Sequence, residues 1–487
     1  MTDFYRHWHS AHKRPLSRRE LLQQSSVGFG SLALAGLLAS TSAGAEKIGA
    51  ENTGAEDPSN PLAVRPPHFA AKAKRVIFLF MHGGPSQVDT FDYKPQLEKD
   101  DGKPVPFDKP RVVSGETGSL LKSPWKFRPY GESGYYVSEL FPEIAKQVDD
   151  ICFINSVYGS NSRHGAALLE LSTGSDTFIR PSIGSWLTYG LGTENQDLPG
   201  FITICPSLSH GGANNWGSAF LPAVYQGTRI GYAGLASDKA QIPFIERRTP
   251  ADLQRLELDL LKEINQQNLR EKGPDHDLES RIESFELAFR MQNEAPEIQD
   301  ISTESQETLD LYGVNNPETR NFAIQCLMAR RYAESGVRFV QISHSYKWDQ
   351  HGDLQKGHSK NAKEVDQPIA ALLTDLRRRG LLEDTIVWWG GEFGRTPVSQ
   401  GGRDGRDHNP HAMTQWFCGG GFKPGSKYGE SDEYGYFAIR DKVHFHDLHA
   451  TILHQMGLDH TRLTYRYAGR DFRLTDVHGE IVREILA

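Results

Sequence analysis

Nineteen histidines are spread through a chain of 487 residues, and many stand in loops, where packing does not call for an imidazole. His82 follows the apolar run Val76 to Phe80 and opens a Gly-Gly-Pro turn, with Asp89 a few residues on. Asp349 and His351 stand two apart in the loop behind another strand-like run, Gly336 to His344. A carboxylate and an imidazole so placed are metal-ligand chemistry. Glu392 follows a third such run, Thr385 to Trp389, and Arg395 lies just beyond it. The loop after that reads Gly402-Arg-Asp-Gly-Arg-Asp-His408-Asn-Pro-His411. Arginine forks such as Arg403 and Arg406 grip oxyanions in bidentate fashion, so a phosphate or sulfate group fits the chemistry. His164 begins a helical stretch, where orphan amides and the dipole favour an anion. The polar loop residues His210, Asn214, Asn215 and Gln226 are candidates for substrate contact. Each has a plainer reading. His82 is equally a hydrogen-bonded turn residue, His164 a helix cap, Arg403 and Arg406 solvated charges, and the asparagines exposed turns.

Those residues need elements to hold them. Continuous apolar runs bounded by turn residues predict strands buried on both faces, as in a parallel sheet. In open α/β sheets, sites form beyond the carboxyl ends of strands, and that is where His82, Asp349 and Glu392 fall. Further strands are expected at Ile151 to Asn155, Phe201 to Ile204 and Thr414 to Cys418. The pattern predicts helices over 164–173, stopped by Gly174, over 178–187 and over 363–379. A mainly helical insertion is expected at about 236–335, packed on the sheet. Its first helix carries the apolar stripe Leu253, Leu256, Leu258, Leu260, Leu261 and Ile264. The helix from His444 to His454 bears four histidines, read chiefly as structural.

A net charge of -8 argues against a nucleic-acid partner held by phosphate neutralisation. The four cysteines are far apart and form no zinc, redox or disulfide framework. Near the start, paired Arg18-Arg19 precede a charge-free, mildly apolar stretch that closes on Ala43-Gly44-Ala45. This has the form of a twin-arginine export signal over 1–45. It predicts an exported, periplasmic or envelope protein with no lasting membrane span after cleavage; a plain membrane anchor is the alternative. Residues 46–71 are polar and Pro-rich, and read as a loose linker before a domain over 72–487.

Four motifs in order carry a family likeness: His82 to Asp92, Gly391 to Pro397, Gly405 to Pro410 and His446 to Thr451. From Arg75 onward the chain resembles the bacterial domain-of-unknown-function family fifteen-oh-one, of the alkaline phosphatase and sulfatase superfamily. The resemblance implies an alkaline phosphatase-like three-layer α/β sandwich with a central, mainly parallel sheet and a metal site at the strand ends. His164 would occupy the nucleophile slot, where Ser, Thr or Cys is usual. His82 would stand near the usual metal aspartate, and Phe393 in place of a ligand histidine. These departures argue against a two-zinc phosphatase and a formylglycine sulfatase.

The expectation is therefore an exported, metal-dependent hydrolase of sulfate or phosphate esters, on a small molecule or a polysaccharide. His82, Asp349, His351, Glu392 and His408 would hold one divalent ion, zinc or calcium, or the site would hold none. His164 would serve as nucleophile or general base, with His408 and Arg395 completing the catalytic set. Alternatively a metal would activate water in place of a protein nucleophile. Asp89, Arg406 and Asn215 would contact substrate. The competing expectation is a non-catalytic relative that binds sulfated or phosphorylated glycans or serves in an envelope complex.

Overall fold

The computed structural model describes residues 60–108, 117–273, 276–401 and 404–487. The expected export signal, most of the expected linker and Arg403 lie outside the described residues. From Asn60 the chain is docked, not loose: Leu62 is buried, and the Arg65 amide donates to the Leu191 carbonyl at 2.9 Å.

Among the described residues, nine strands make the main sheet: β1 (Arg75–Phe80), β2 (Ile151–Tyr158), β3 (Phe201–Ile204), β4 (Thr228–Ile230), β5 (Phe339–Ser343), β6 (Thr385–Gly390), β7 (Met413–Cys418), β8 (Ser426–Tyr428) and β9 (Val443–His444). Their order is β8-β2-β7-β6-β1-β5-β3-β4, with β9 also paired to β2. Every residue of β1, β5 and β6 is buried, so both faces of the sheet centre are covered. That is why β1 and β6 read as nearly continuous apolar runs instead of alternating ones, whereas β5 carries Gln341 among its apolar residues. All pairings are parallel except those of β7, which runs against β2 and β6.

Register puts several loops at one edge. Phe80 pairs with both Ser343 and Gly390, so β1, β5 and β6 end at the same level. β3 and β2 run in the same sense and release their loops at the same edge. The reversed strand β7 brings its amino end there, with Met413 opposite Val157. Chain arriving from His408 is thereby delivered to the level at which the other loops begin.

Among the described residues, the helices of eight residues or more are α1 (His164–Thr173), α2 (Ile183–Leu191), α3 (Ala251–Lys272), α4 (His276–Gln299), α5 (Arg320–Glu334), α6 (Leu354–Arg378) and α7 (Phe445–Gln455). α1 stops at Gly174, whose φ of +70° suits glycine at a helix end. α6 starts nine residues before the start expected at 363, directly behind the Asp349–His351 loop, and buries Val365, Ile369, Leu372, Leu373 and Leu376. α2 lies five residues later than its sequence pattern indicates at the start. The region 236–335 is helical as expected, but α3 does not pack its apolar stripe on the sheet. Leu253, Leu256, Leu260, Leu261 and Ile264 are all exposed. All four cysteines are free and buried. Among the described residues, no helix is long and apolar enough to cross a membrane.

Candidate functional site

The common edge gathers His82 from the loop after β1, His164 at the start of α1, and His210 from the loop after β3. It also gathers Asp349 and His351 from the loop after β5, Glu392 from the loop after β6, and His408 ahead of β7. Two close approaches make this crowding sterically possible. Gly83 has φ +113°, and a Cβ there would lie 2.7 Å from the Asp349 amide nitrogen and 2.8 Å from that of Trp348. Gly405 lies so close to the His351 backbone that any side chain would collide with it. His408-Asn409 pairs with Gly394-Arg395 as a short antiparallel ribbon, which fixes His408 against the loop of Glu392.

At the centre, the Asp349 Oδ1 lies 3.0 Å from His351 Nε2 and 3.1 Å from His408 Nε2. The two Nε2 atoms are themselves 3.0 Å apart. Tautomers follow from the far sides of the rings. His408 Nδ1 is 2.7 Å from the Ser162 carbonyl, which only accepts, so Nδ1 carries the proton. His351 Nδ1 is 2.5 Å from Gln400 Oε1 and donates likewise. In their neutral forms both rings therefore turn an Nε2 lone pair towards each other and towards a carboxylate oxygen. Three acceptors so close repel unless a cation lies among them. Ring N–H groups anchored to carbonyls are also the outer partners of metal-ligating histidines. The donor set fits a divalent ion.

Glu392 is wholly buried and ties this group to a second one. Its Oε1 accepts from the Gly83 amide at 3.0 Å and lies 2.7 Å from His164 Nδ1. His164 Nε2 is 3.3 Å from Asp349 Oδ2. His164 is thus suspended between two carboxylates. Burial opposes its charge, but the hydrogen bonds to Asp349 and Glu392 outweigh that and raise it to about 9. Beyond it, His82 Nε2 lies 4.0 Å from Glu392 Oε1 and 3.5 Å from His210 Nδ1. Burial lowers His82 to about 4, so its ring is neutral. Burial also opposes the charge on Asp349, yet the hydrogen bond from His164 and the charge of Arg395 hold its carboxyl far below the usual range.

The five expected ligands do converge, but not around one point. Asp349, His351 and His408 share one focus. His82 and His210 gather at another, Glu392 reaches both His82 and His164, and His164 belongs to both groups. The expected oxyanion contacts require correction. Arg395 is fully buried and spends its guanidinium on the carbonyls of Gly83, Gly84, Trp348 and Arg406 and on Asp349 Oδ1 at 2.7 Å. Arg406 is also fully buried and holds Asp89 through Nε at 2.6 Å and Nη2 at 3.1 Å. Asp89 and Arg406, expected to meet substrate, meet each other instead. Asn215 is buried and donates to the His210 carbonyl at 3.1 Å, so it braces the His210 loop.

Other histidines are structural. His344 accepts from Trp348 Nε1 and faces Glu364, and His358 accepts from the Ser86 amide. His446 and His449 tie α7 to the carbonyls of Gly174 and Leu171 at the end of α1, in keeping with their plain sequence reading. Sequence reasoning groups His210 with other loop polars and misses Tyr346 altogether. The signal is present for both, since each lies in a loop behind the carboxyl end of a strand, β3 and β5.

The chain is similar in fold to several solved structures. One is the lipoteichoic acid synthase LtaP from Listeria monocytogenes, at 11% identity over 86% of this chain and 79% of that one, with a TM-score of 0.34. Another is the phosphonate monoester hydrolase SpPMH from Silicibacter pomeroyi, at 11% identity over 85% and 76%, TM-score 0.35. A third is the PsFucS1 sulfatase from Pseudoalteromonas sp., at 13% identity over 79% and 68%, TM-score 0.33. No curated protein matches the chain. The family model described as "Protein of unknown function (DUF1501)" matches residues 73–486, the strands and every loop of the site included, and the chain belongs to that family.

Proposed function

We propose that this protein is an exported, metal-dependent hydrolase of sulfate or phosphate esters, acting on a small anionic molecule or on a polysaccharide bearing such groups. The observation that carries the reading is the meeting of three unshared electron pairs, from Asp349, His351 and His408, beside a histidine held between two carboxylates. Two imidazoles and one carboxylate are donors for a zinc-type ion; calcium takes oxygen ligands, which makes it the poorer match. Asp349, His351 and His408 would hold the ion, which supplies Lewis-acid polarisation and fixed positive charge to an anionic ester. Glu392 and Asp349 orient His164 from both sides. Because both ring nitrogens face carboxylates, His164 is arranged to hold and give a proton, not to offer a lone pair as a nucleophile. His82 and Glu392 fix the far wall.

The test is elemental analysis of the purified chain, followed by a panel of aryl sulfates, aryl phosphates and phosphonate monoesters. We expect a bound divalent transition ion that is lost in His408→Ala and Asp349→Ala. We expect ester hydrolysis to fall by at least about a hundredfold in His164→Ala, the scale of a positioned proton donor. A wild-type chain that takes up no ion, or an activity that survives these changes, sinks the reading. Cell fractionation of the full chain against an Arg18→Lys, Arg19→Lys form tests export. The absence of a Ser, Thr or Cys at position 164 favours a second reading, a glycan-binding relative without catalysis. That reading predicts anion binding with no turnover on the same panel.

A further inference from the structure

With Arg395 and Arg406 committed to the interior, an anionic ester must be recognised by other groups. His82, His164, Glu392 and His408 are all buried. Tyr346 is 45% exposed, and His210 is half-buried beside it. These two come from different loops, behind β5 and β3, and meet over the inner histidines. The Tyr346 ring lies 4.8 Å from that of His210, 5.1 Å from His82 and 5.5 Å from His164. The His210 ring stacks on His164 at 4.9 Å. Both residues have left-handed backbone, φ 51° at Tyr346 and φ 52° at His210. That conformation is uncommon for any side chain and an outlier for a bulky one; such cost is borne where a site needs it. Each also keeps a donor at the opening. The Tyr346 hydroxyl reaches Asp349 Oδ2 at 3.2 Å, a length that leaves room for a better acceptor. His210 uses only Nδ1, towards His82, and among the described residues its Nε2 has no partner.

We propose that Tyr346 and His210 form the recognition edge for the tetrahedral oxyanion of the ester, the part that the two interior arginines do not play. The inference rests on the hydrolase reading for the identity of the ligand, but not for its test. A neutral O–H and a ring N–H donate to the peripheral oxygens of a phosphate or sulfate, while Asp349 beneath them remains with the inner group. The pair selects a dianionic or monoanionic tetrahedral head by hydrogen bonding instead of by a guanidinium fork, and so tolerates a varied remainder.

The experiment is equilibrium binding of inorganic phosphate and of inorganic sulfate to the full chain as purified with its metal, measured by calorimetry. Tyr346→Phe keeps the ring and removes the hydroxyl, and His210→Gln keeps a donor of similar reach. We expect Tyr346→Phe to weaken phosphate binding about tenfold, the scale of one hydrogen bond to a charged acceptor, with melting temperature and metal content unchanged. His210→Ala should weaken it similarly, with His210→Gln recovering part of the loss. Unchanged phosphate affinity in both Tyr346→Phe and His210→Ala overturns the proposal. So does a loss confined to Arg163→Gln, the exposed cation next to His164. Loss of metal in His210→Gln would make His210 a ligand and also overturns the paired role. If the wild-type chain hydrolyses nothing on the ester panel but the tyrosine change still weakens phosphate, the hydrolase reading fails and the recognition edge stands.

Discussion

Arg406 and Asp89 meet with neither side chain exposed, and the pair is closed by the Leu121 and Thr396 carbonyls and the Ser86 hydroxyl. Breaking such a pair from one side leaves a buried charge with nothing to answer it, at about 3–5 kcal/mol. Arg406→Met alone should therefore lower the unfolding free energy by that amount in urea, and Asp89→Leu should cost a similar amount. The double change should recover much of the loss, since two apolar groups of like volume replace the pair. An oxyanion-binding role predicts a different pattern, with full stability and weakened phosphate affinity in Arg406→Met. The residue type alone could not tell the two cases apart. An arginine in a Gly-rich loop reads as a free cation until its partners, hundreds of residues away in the chain, are known. His210 is hard to single out for the converse reason. Its neighbours Gly211, Gly212 and Asn214 look like any surface turn, and only the left-handed backbone folds the ring inward.

At the scale of elements, the strand ends were legible because burial on both faces leaves an unbroken apolar run, and because register then aligns the loops behind them. The facing of α3 was not. The stripe on α3 has helical period, which foretold a helix but not the direction it faces, and its leucines point to solvent. α7 shows a helix held by imidazoles instead of by apolar contact alone. His449 is wholly buried, its Nε2 donates to the Leu171 carbonyl at 2.8 Å, and burial, with help from His446, lowers it to about 3. The unfolded chain binds a proton there near 6.5, while the folded chain refuses it until about 3. Between those values the unfolded state holds more protons, so stability rises with pH up to about 6.5 and is flat above it. His449→Gln keeps the donor and cannot charge. Its unfolding free energy should lose close to one proton of this dependence, about 1.4 kcal/mol per pH unit, between pH 4 and 6. An unchanged slope would show that His449 is not the group that refuses the proton.

For the molecule as a whole, the sheet edge and the metal-type residues were legible from sequence, and so was their common destination. Their division into two foci was not, because it depends on Glu392 turning back to the Gly83 amide and on His164 bridging to Asp349. Gly83→Ala should expose that dependence. Its Cβ would press on the Asp349 and Trp348 backbone from a φ that alanine resists. We expect loss of the ion with most of the helix signal in circular dichroism retained; retention of both would show that the loops can yield.

The Gly83–Glu392 link has a consequence for how the molecule comes apart. Its two ends lie in the loops directly behind β1 and β6, which pair with each other at the sheet centre. Parting those two strands would pull the carboxylate off the amide, so disappearance of the ion site would time the rupture of the sheet's middle and not the fluttering of a rim.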